Sequence, residues 1–345
     1  MRILTILGAR PQFIKHAIVQ RGLRDFGIEE LLLHTGQHFD PLMSQMFFEE
    51  LGIAPPQIEL HIPSAPPLIQ LGKMLEGMQA NLARENFDYV LVYGDTTSTL
   101  AGSLFAQELQ IPLVHIEAGL RSGDLKMPEE RNRLICDQLS SLLFAPTKGA
   151  LNNLQRENVQ GKIIVSGDVM LEGFLHFLPF AKKPSISLPK EFILCTLHRQ
   201  SNVDSKERLS FLLEGLIKVS QKIPVVLPLH PRTKQRIEDF GLVIPPSIIL
   251  LPPQGYLQNL WLLSQCLMVF TDSGGLQKEA YFANKKSLVL RKVSEWVELV
   301  ECGACELLGK RGVDEAFSSL SFESFPPFIY GEGKSVEMIL NELRG

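Results

Sequence analysis

The chain has 345 residues, of which 45% are hydrophobic and 21% are charged. This length predicts two domains of ordinary size, each large enough to bury its own core. With 34 basic and 38 acidic side chains the net charge is −4, so no broad basic surface indicates nucleic acid or an anionic membrane as a partner.

The chain begins with a predicted strand at 3–7, followed by Gly8 and a helix that ends near residue 23. The apolar run is too short for a signal peptide and is typical of a strand. Gly8 suits a tight turn, and Arg10 and Lys15 place two cations near the N-terminus of the helix, which favours anions. Solvated surface charges are the alternative interpretation of these two residues.

Three further strands are predicted in this half, at 30–34, 89–93 and 112–116. Asp95 and Glu117 lie just beyond the second and the third of them. The carboxyl ends of parallel strands form the ligand-binding edge of an open α/β sheet, so these two acids are predicted at that edge. Capping of the following helices is the alternative role for each of them.

A helix that begins after Met127 carries Glu129 in its first turn, where acidic residues often act only as partners of the helix dipole. Two short α/β units follow. The alternation of strands and helices predicts a doubly wound parallel sheet. The segment 179–190 has three prolines, three lysines and two serines, and it is predicted to be a linker.

The second half repeats this design. Predicted strands at 192–197 and 224–229 end in His198 and His230. The apolar run 267–270 leads into Asp-Ser-Gly-Gly at 272–275 and then into a helical pattern, which predicts a strand, a tight turn and a helix. The exposed N–H groups of such a helix stabilise an anion, and glycines let a phosphate approach the backbone. Simple capping by Asp272 or Ser273 is the alternative.

The cysteines and the hydropathy indicate the compartment. Five cysteines, an odd number scattered through the chain, argue against a disulfide framework and favour a reducing environment. Cys302 and Cys305 form a single C-x-x-C pair without a second pair at zinc spacing, so no metal site is predicted. No apolar run approaches the length of a membrane span, and a cytoplasmic location is predicted.

Seven motifs, in order along the chain, resemble the non-hydrolysing UDP-N-acetylglucosamine 2-epimerase family. They are GARPxxxK at 8–15, TGQH at 35–38, GDTTS at 94–98, HIEAGLRSGD at 115–124, PEERNR at 128–133, LHR at 197–199 and DSGGLQKE at 272–279. The resemblance runs from residue 1 to about residue 309. No single motif is sufficient, but seven in sequence are highly specific.

The resemblance implies an α/β fold with two Rossmann-like domains facing a central cleft, as in glycosyltransferases of the B type. The expected domains are 1–178, carrying the acidic residues, and 191–333, binding UDP, with a helix in 334–345 that packs back on the first domain. Neither a G-x-G-x-x-G motif nor a P-loop is present, so no cofactor is expected. The resemblance also implies a homodimer.

The family is thought to eliminate UDP across C1 and C2 of the sugar and to add it back after protonating C2 from the other face. The resemblance implies four catalytic residues, Asp95, Glu117, Glu129 and His198. It implies binding of UDP or the sugar by Arg10, Lys15, His38, Arg199, His230, Tyr256, Ser273, Gly274, Gly275, Gln277, Glu279 and Arg291. In this group Glu279 is expected at the ribose and Tyr256 in the loop that holds uracil, although Tyr256 fits a core position equally well.

Alternatives remain open within this resemblance. Segments 229–233 and 291–303 look closer to the branch that acts on UDP-2,3-diacetamido-2,3-dideoxyglucuronate, whose carboxylate Arg121, Arg131, Arg199 or Arg232 could bind. A hydrolysing epimerase and a catalytically silent nucleotide-sugar sensor are further alternatives. The sensor is favoured only by Ser201, which stands where the family usually has a glutamate.

Overall fold

The computed structural model describes residues 1–37, 47–63, 65–321 and 324–345, except for the side chain of Arg10. The chain divides into two compact units. The first consists of Met1–His176 and Phe328–Gly345, and the second of Phe177–Pro327. In the part of the chain that the structure describes, no helix is long and apolar enough to cross a membrane.

The first unit contains a sheet of seven parallel strands in the order β3-β2-β1-β4-β5-β6-β7. The strands are β1 (Arg2–Leu7), β2 (Glu29–His34), β3 (Ile58–Glu59), β4 (Tyr89–Tyr93), β5 (Leu113–Ile116), β6 (Leu142–Ala145) and β7 (Lys162–Val165). The helices of this unit are Arg10–Asp25, Pro67–Leu82, Thr97–Glu108, Pro128–Leu139, Lys148–Arg156, Val169–Phe177 and Ser335–Arg344, and residues 47–51 are also helical.

Side chains alternate between the two faces of each strand, so Leu4 and Ile6 lie on the same face of β1. They belong to one buried cluster with Met74 and Met78, which follow each other by one helical turn. Continuous apolar runs such as β4 are typical of strands covered on both faces. The burial of both faces stabilises the sheet, and the polar loops follow the carboxyl ends of its strands.

The helix Ser335–Arg344 belongs to the first unit although it is distant from it in sequence. Its buried residues include Val336 and Leu340, which contact the helix Arg10–Asp25 at Gly22. A Cβ at Gly22 would lie 2.5 Å from Val336 Cγ1 and 2.7 Å from Leu340 Cδ1, so the glycine permits this close approach.

The second unit repeats the parallel arrangement with six strands in the order β10-β9-β8-β11-β12-β13. They are β8 (Ile193–Thr196), β9 (Val225–Pro228), β10 (Ile248–Leu251), β11 (Met268–Thr271), β12 (Ser287–Val289) and β13 (Cys305–Leu307). The helices are Gln200–Val203, Lys206–Ser220, Pro231–Asp239, Tyr256–Gln265, Gly274–Phe282, Val297–Glu301 and Val313–Ser319, with a short 3₁₀ turn at Leu178–Phe180.

Both sheets confirm the predicted α/β class, and their strand orders locate the ligand edge. In the first sheet the order reverses between β1 and β4, and in the second between β8 and β11. Ligands of doubly wound sheets bind beyond the carboxyl ends of the strands at such a reversal. The loops after these four strands carry Gly8, Asp95, His198 and Ser273.

Candidate active-site residues of the two units

In the first unit, Lys15 and Glu117 form an ion pair at the carboxyl edge of the sheet. Lys15 Nζ lies 2.5 Å from Glu117 Oε2, and the side chains are 5% and 11% exposed. Glu117 has a φ of 70°, a conformation that costs about 1–3 kcal/mol for a residue other than glycine. Gly94, which directly follows β4, lies beside this carboxylate, because a Cβ at Gly94 would be 3.6 Å from Glu117 Oε1. The turn therefore holds a carboxylate in a strained, defined position.

Asp95 follows β4 and forms an ion pair with Arg133. Burial is the largest influence on its carboxyl group and raises its pKa. Arg133 opposes this rise, whereas the charges of Glu117 and Glu129 add to it. A carboxyl group with a raised pKa retains its proton closer to neutral pH, which is the property a general acid needs.

Two adjacent acids, Glu129 and Glu130, lie in the first turn of the helix that carries Arg133. Glu129 is exposed, whereas Glu130 is buried. The Glu130 carboxylate accepts hydrogen bonds from the backbone N–H groups of Ser122 and Gly123, and it pairs with Arg133 at 2.8 Å. Although burial raises the pKa of Glu130, these contacts outweigh it and lower the pKa. Glu130 thus fixes a loop, and Glu129 is available to a ligand.

Gln12 joins the loops after β1 and β4. Its Oε1 accepts hydrogen bonds from the N–H groups of Gly8 at 2.8 Å and Ala9 at 3.0 Å, and its Nε2 donates to the Tyr93 carbonyl oxygen at 2.9 Å. A Cβ at Gly8 would lie 2.0 Å from Ser98 Oγ, so only glycine fits between these loops. The two loops are therefore held in a fixed relation.

In the second unit, the buried carboxylate of Asp272 organises the loop after β8. It accepts hydrogen bonds from the N–H groups of His198 at 3.0 Å and Arg199 at 2.9 Å, and from Asn202 Nδ2 at 3.1 Å. His198 Nδ1 lies 3.1 Å from Asp272 Oδ1. Burial raises the pKa of Asp272, but the hydrogen bond and charge of His198 and the N–H of Arg199 outweigh it and lower the pKa. Asp272 therefore orients the loop and does not cap the next helix.

Ser273 caps the helix Gly274–Phe282, because its Oγ accepts a hydrogen bond from the N–H of Leu276 at 3.4 Å. Gly274 and Gly275 form the first turn and are partly exposed. The buried carboxylate of Glu295 lies against this turn: a Cβ at Gly274 would be only 2.2 Å from Glu295 Oε1. An acidic side chain of the protein thus lies at the helix N-terminus, where negative charge is stabilised.

Glu295 also pairs with two arginines. Its Oε2 lies 2.8 Å from Arg291 Nη1, and its Oε1 lies 3.5 Å from Arg199 Nη2. Burial raises the pKa of Glu295, but the charges of Arg291 and Arg199 outweigh it and lower the pKa. Glu295 therefore gathers both cations beside the first turn of the helix.

Glu279 lies on the same helix, and its Oε1 is buried. Among the residues that the structure describes, none forms a hydrogen bond to this atom. Burial raises the pKa of Glu279 to about 7, although the neighbouring Tyr256 hydroxyl group and the charge of Lys278 oppose the rise. Tyr256 itself is 4% exposed and packs edge-on against Phe177 at 5.8 Å between ring centroids, so it contributes to the core. The carboxylate of Glu279 retains an acceptor for a hydroxyl group.

Two other predicted binding residues have protein partners. His230 caps the helix Pro231–Asp239 and lies 5.7 Å from the His198 ring. Gln277 is buried, donates to the Ser273 carbonyl oxygen at 3.1 Å and accepts from Ser294 Oγ at 2.6 Å. Gln277 therefore braces the turn with both ends of its amide group.

The remaining predicted residues are placed as follows. Arg10 is the first residue of its helix, but its side chain and the whole of His38 lie outside the described residues. Of the arginines considered for a sugar carboxylate, Arg121 pairs with Asp137 and Glu157, and Arg232 pairs with Asp204. Within the described ranges, no group of three or more His, Cys, Asp or Glu residues is placed to hold a metal ion.

Several residues of these sites were not predicted from the sequence, and Arg133 and Glu295 are two of them. Arg133 follows Glu129 by four residues in a helix, a spacing that places both on one face and could have indicated a partner for an acid. Glu295 gives no such signal, because its contacts with Gly274 and Arg199 join segments that are far apart in sequence.

Comparison with known proteins shows the family of the chain. A family model described as UDP-N-acetylglucosamine 2-epimerase matches residues 22–344. The chain is 47% identical over 315 residues to the UDP-2,3-diacetamido-2,3-dideoxy-D-glucuronate 2-epimerase of Pseudomonas aeruginosa, which covers 90% of this chain and 88% of the relative. It is 40% identical over 324 residues to the UDP-N-acetylglucosamine 2-epimerase of Methanocaldococcus jannaschii, with the same coverage of 90% and 88%.

Solved structures give the same result. The M. jannaschii UDP-GlcNAc 2-epimerase in complex with UDP-GlcNAc and UDP aligns with a TM-score of 0.92 and 38% identity over 100% of this chain and 99% of that chain. The Neisseria meningitidis UDP-GlcNAc 2-epimerase bound to UDP-GlcNAc aligns with a TM-score of 0.89 and 30% identity, covering 100% of both chains. The similarity therefore extends over both units.

Proposed function

The chain belongs to the UDP-N-acetylglucosamine 2-epimerase family, and we propose that it inverts C2 of a UDP-2-acetamido sugar. Its relatives of this name are isomerases, and those solved with ligands hold UDP or UDP-GlcNAc. The single observation that carries the proposal is that Asp95 and Glu117 follow the neighbouring strands β4 and β5, and that the charges of Glu117 and Glu129 both act on the Asp95 carboxyl group.

The proposed reaction is an elimination followed by an addition. A carboxylate removes the proton from C2, the electron pair of that C–H bond forms the C1=C2 double bond, and the C1–O bond breaks as UDP leaves. The glycal then receives a proton at C2 from the opposite face, and a UDP oxygen attacks C1. Atoms and electrons balance without a redox partner. This route needs carboxyl groups in different protonation states.

The first unit offers such a difference. The raised pKa of Asp95 favours its protonated form as a proton donor. Glu117 instead pairs with Lys15, whose charge stabilises a carboxylate. Each face of C2 needs its own proton carrier. Glu129, exposed in its helical turn, completes the trio.

In the second unit, UDP is proposed to lie at the N-terminus of the helix Gly274–Phe282. The N–H groups of Gly274 and Gly275, together with Arg291, provide charge and hydrogen bonds for the diphosphate. The buried Oε1 of Glu279, which receives no hydrogen bond from the described residues, fits a ribose hydroxyl group as donor. His198, fixed by Asp272, is proposed to assist departure of the diphosphate.

Proton NMR in deuterated water tests the proposal. We expect deuterium to enter C2 of the UDP-sugar while its epimer appears, because every elimination exposes C2 to exchangeable protons. UDP binding without exchange or epimer formation would contradict it and favour the sensor. Release of free N-acetylmannosamine with UDP would indicate the hydrolysing reaction instead.

A second substrate is supported by one observation. The relative from P. aeruginosa that shares 47% identity is named for UDP-2,3-diacetamido-2,3-dideoxy-D-glucuronate, whereas the M. jannaschii relative named for UDP-N-acetylglucosamine shares 40%. The NMR experiment should therefore be run with both sugars. Turnover confined to the diacetamido uronate would assign the chain to that branch.

We also propose that the enzyme is a cytoplasmic homodimer. None of the five cysteines forms a disulfide bond, which is typical of a protein in a reducing compartment. Light scattering coupled to size-exclusion chromatography tests the dimer, because the two states differ twofold in mass. A monomer at micromolar concentration would contradict that part of the proposal.

A further inference from the structure

A fully buried hydrogen-bonded pair, His115 and Asp137, lies behind the acidic turns of the first unit. His115 is on β5, and His115 Nδ1 lies 2.7 Å from Asp137 Oδ1. The other ring nitrogen, Nε2, lies 2.7 Å from the carbonyl oxygen of Gly94. Both side chains are 0% exposed. Neither residue belongs to the acids that the proposed reaction uses directly.

These contacts join the backbone on both sides of the acids. Gly94 immediately precedes Asp95, and His115 precedes Glu117 by two residues. The second oxygen of Asp137 accepts a hydrogen bond from the N–H of Gly119 at 3.1 Å, two residues beyond Glu117. The pair thus connects three points that determine where the two acidic turns lie.

The two ring nitrogens of His115 have different partners. Nδ1 faces the Asp137 carboxylate, and Nε2 faces the Gly94 carbonyl oxygen. Burial raises the pKa of Asp137, but His115 and Arg121 outweigh it and lower the pKa. Arg121 lies 2.7 Å from Asp137 Oδ2 and continues to Glu157 at 2.5 Å. A continuous chain of polar contacts therefore extends from Glu157 through Arg121, Asp137 and His115 to the carbonyl group of Gly94.

The turns that the pair connects have unusual backbone conformations. Gly94, Glu117 and Gly119 have φ values of 64°, 70° and 83°. Such conformations persist for a residue like glutamate only where surrounding contacts determine them. The His115–Asp137 pair supplies contacts on both sides of Glu117.

We propose that His115 and Asp137 are positioning residues that set the separation of Asp95 and Glu117 on either side of the substrate. This inference rests on the proposed epimerase function. Neither residue exchanges a proton with the substrate. A displacement of about 1 Å in a reacting group can lower the rate about 100-fold, so loss of the link should appear in kcat.

Two variants of His115 separate its contacts. In His115→Gln the longer side chain brings its amide to the position of Nε2 and can still donate to the Gly94 carbonyl oxygen. In His115→Asn the shorter side chain places its amide only at the position of Nδ1. It can contact Asp137 but cannot reach the Gly94 carbonyl oxygen. We expect kcat to fall about 100-fold in the Asn variant and less than about tenfold in the Gln variant, with KM within about threefold of the wild type in both.

His16→Asn is the matched control, because His16 is also 0% exposed and hydrogen-bonded, through Nδ1 to the Tyr93 hydroxyl group at 3.1 Å. We expect it to lower the melting temperature with kcat within about threefold of the wild type. Unchanged kcat in His115→Asn, equal losses in His115→Asn and His115→Gln, or equal losses in His115→Asn and His16→Asn would each overturn the proposal.

If His115→Asn does not fold, Asp137→Asn takes its place. The amide keeps the shape of the Asp137 side chain but replaces one of its two oxygens, so either the Gly119 N–H group or His115 loses its acceptor. We expect kcat to fall at least about tenfold while KM is unchanged. A kcat equal to the wild type would overturn the proposal. The wild-type enzyme in the same assay separates the positioning role from the proposed epimerase function. If the wild type itself does not epimerise the substrate, the proposed function is contradicted and not the positioning role.

Discussion

His198 and Asp272 are joined twice: the N–H group of His198 donates to the carboxylate at 3.0 Å, and Nδ1 of its ring lies 3.1 Å from Oδ1. The carboxylate also binds the N–H group of Arg199. One buried acid thereby fixes both the backbone and the ring of the proposed catalytic histidine.

The first prediction concerns the Asp272 carboxylate. Asp272→Asn removes a buried charge that receives several N–H donors, and we expect UDP affinity to fall about tenfold or more, because hydrogen bonds to charged groups contribute about 1.5–3 kcal/mol. Isothermal titration calorimetry with UDP measures the change. The control is Asp204→Asn, which removes a half-exposed partner of Arg232 and should change affinity less than about threefold. Unaltered UDP binding in Asp272→Asn would contradict the assignment.

The second prediction concerns Gly274. In Gly274→Ala the new Cβ would lie 2.2 Å from Glu295 Oε1, so the carboxylate and its arginine partners must move. We expect UDP affinity to fall at least about tenfold, since a charge-assisted contact is lost. Gly72→Ala is the control, because nothing lies within 4 Å of its Cβ position and alanine should stabilise that helix by about 0.5–1 kcal/mol. Retained affinity in Gly274→Ala would place the diphosphate elsewhere.

The third prediction concerns proton transfer. In Asp95→Asn the amide keeps the size of the side chain but cannot carry the proton, so we expect kcat to fall about 10²–10⁴-fold. UDP binding should remain within about threefold of the wild type. Steady-state kinetics and calorimetry give the two quantities. Asp88→Asn, at an exposed position of the same unit, should leave kcat unchanged. Equal turnover in Asp95→Asn and the wild type would exclude Asp95 as a proton carrier.

The fourth prediction concerns pH and Glu279. Burial raises its pKa to about 7, above the ordinary value of 4.5, so the folded protein binds this proton more tightly than the unfolded chain. The stabilising contribution is fully present below pH 4.5 and is lost as the pH rises through about 7. Glu279→Gln should therefore match the wild type near pH 4.5 and exceed it at pH 8, by up to about 3 kcal/mol.

Thermal denaturation at the two pH values measures this difference. Glu214→Gln, at an exposed position of the same unit, is the control and should show the same difference from the wild type at both. A Glu279→Gln variant that is no more stable than the wild type at pH 8 would contradict the raised pKa.

The sequence predicted the loops that carry the candidate site, because each follows an apolar strand and precedes a helix. Asp95, Glu117, His198 and Ser273 all lie beyond carboxyl strand ends. The sequence did not predict β3, which has only two residues and therefore no periodicity to detect.

The contacts within the site were less predictable than its position. Arg121, considered as a partner of the sugar, instead pairs with Asp137 and Glu157. Glu295 contacts Gly274 from a separate segment. Such pairings depend on which strands are neighbours, and that order is a property of the sheet rather than of local sequence.

The helix Ser335–Arg344 has a consequence for how the protein is made. Val336, Ile339, Leu340 and Leu343 form its buried stripe, at the spacing of an amphipathic helix. It packs on Arg10–Asp25, which leaves the ribosome more than 300 residues earlier. The nascent first unit must therefore wait, with part of its earliest helix uncovered, until synthesis has passed through the whole second unit. A premature stop near residue 327 would leave that apolar surface as a target for chaperones and proteases.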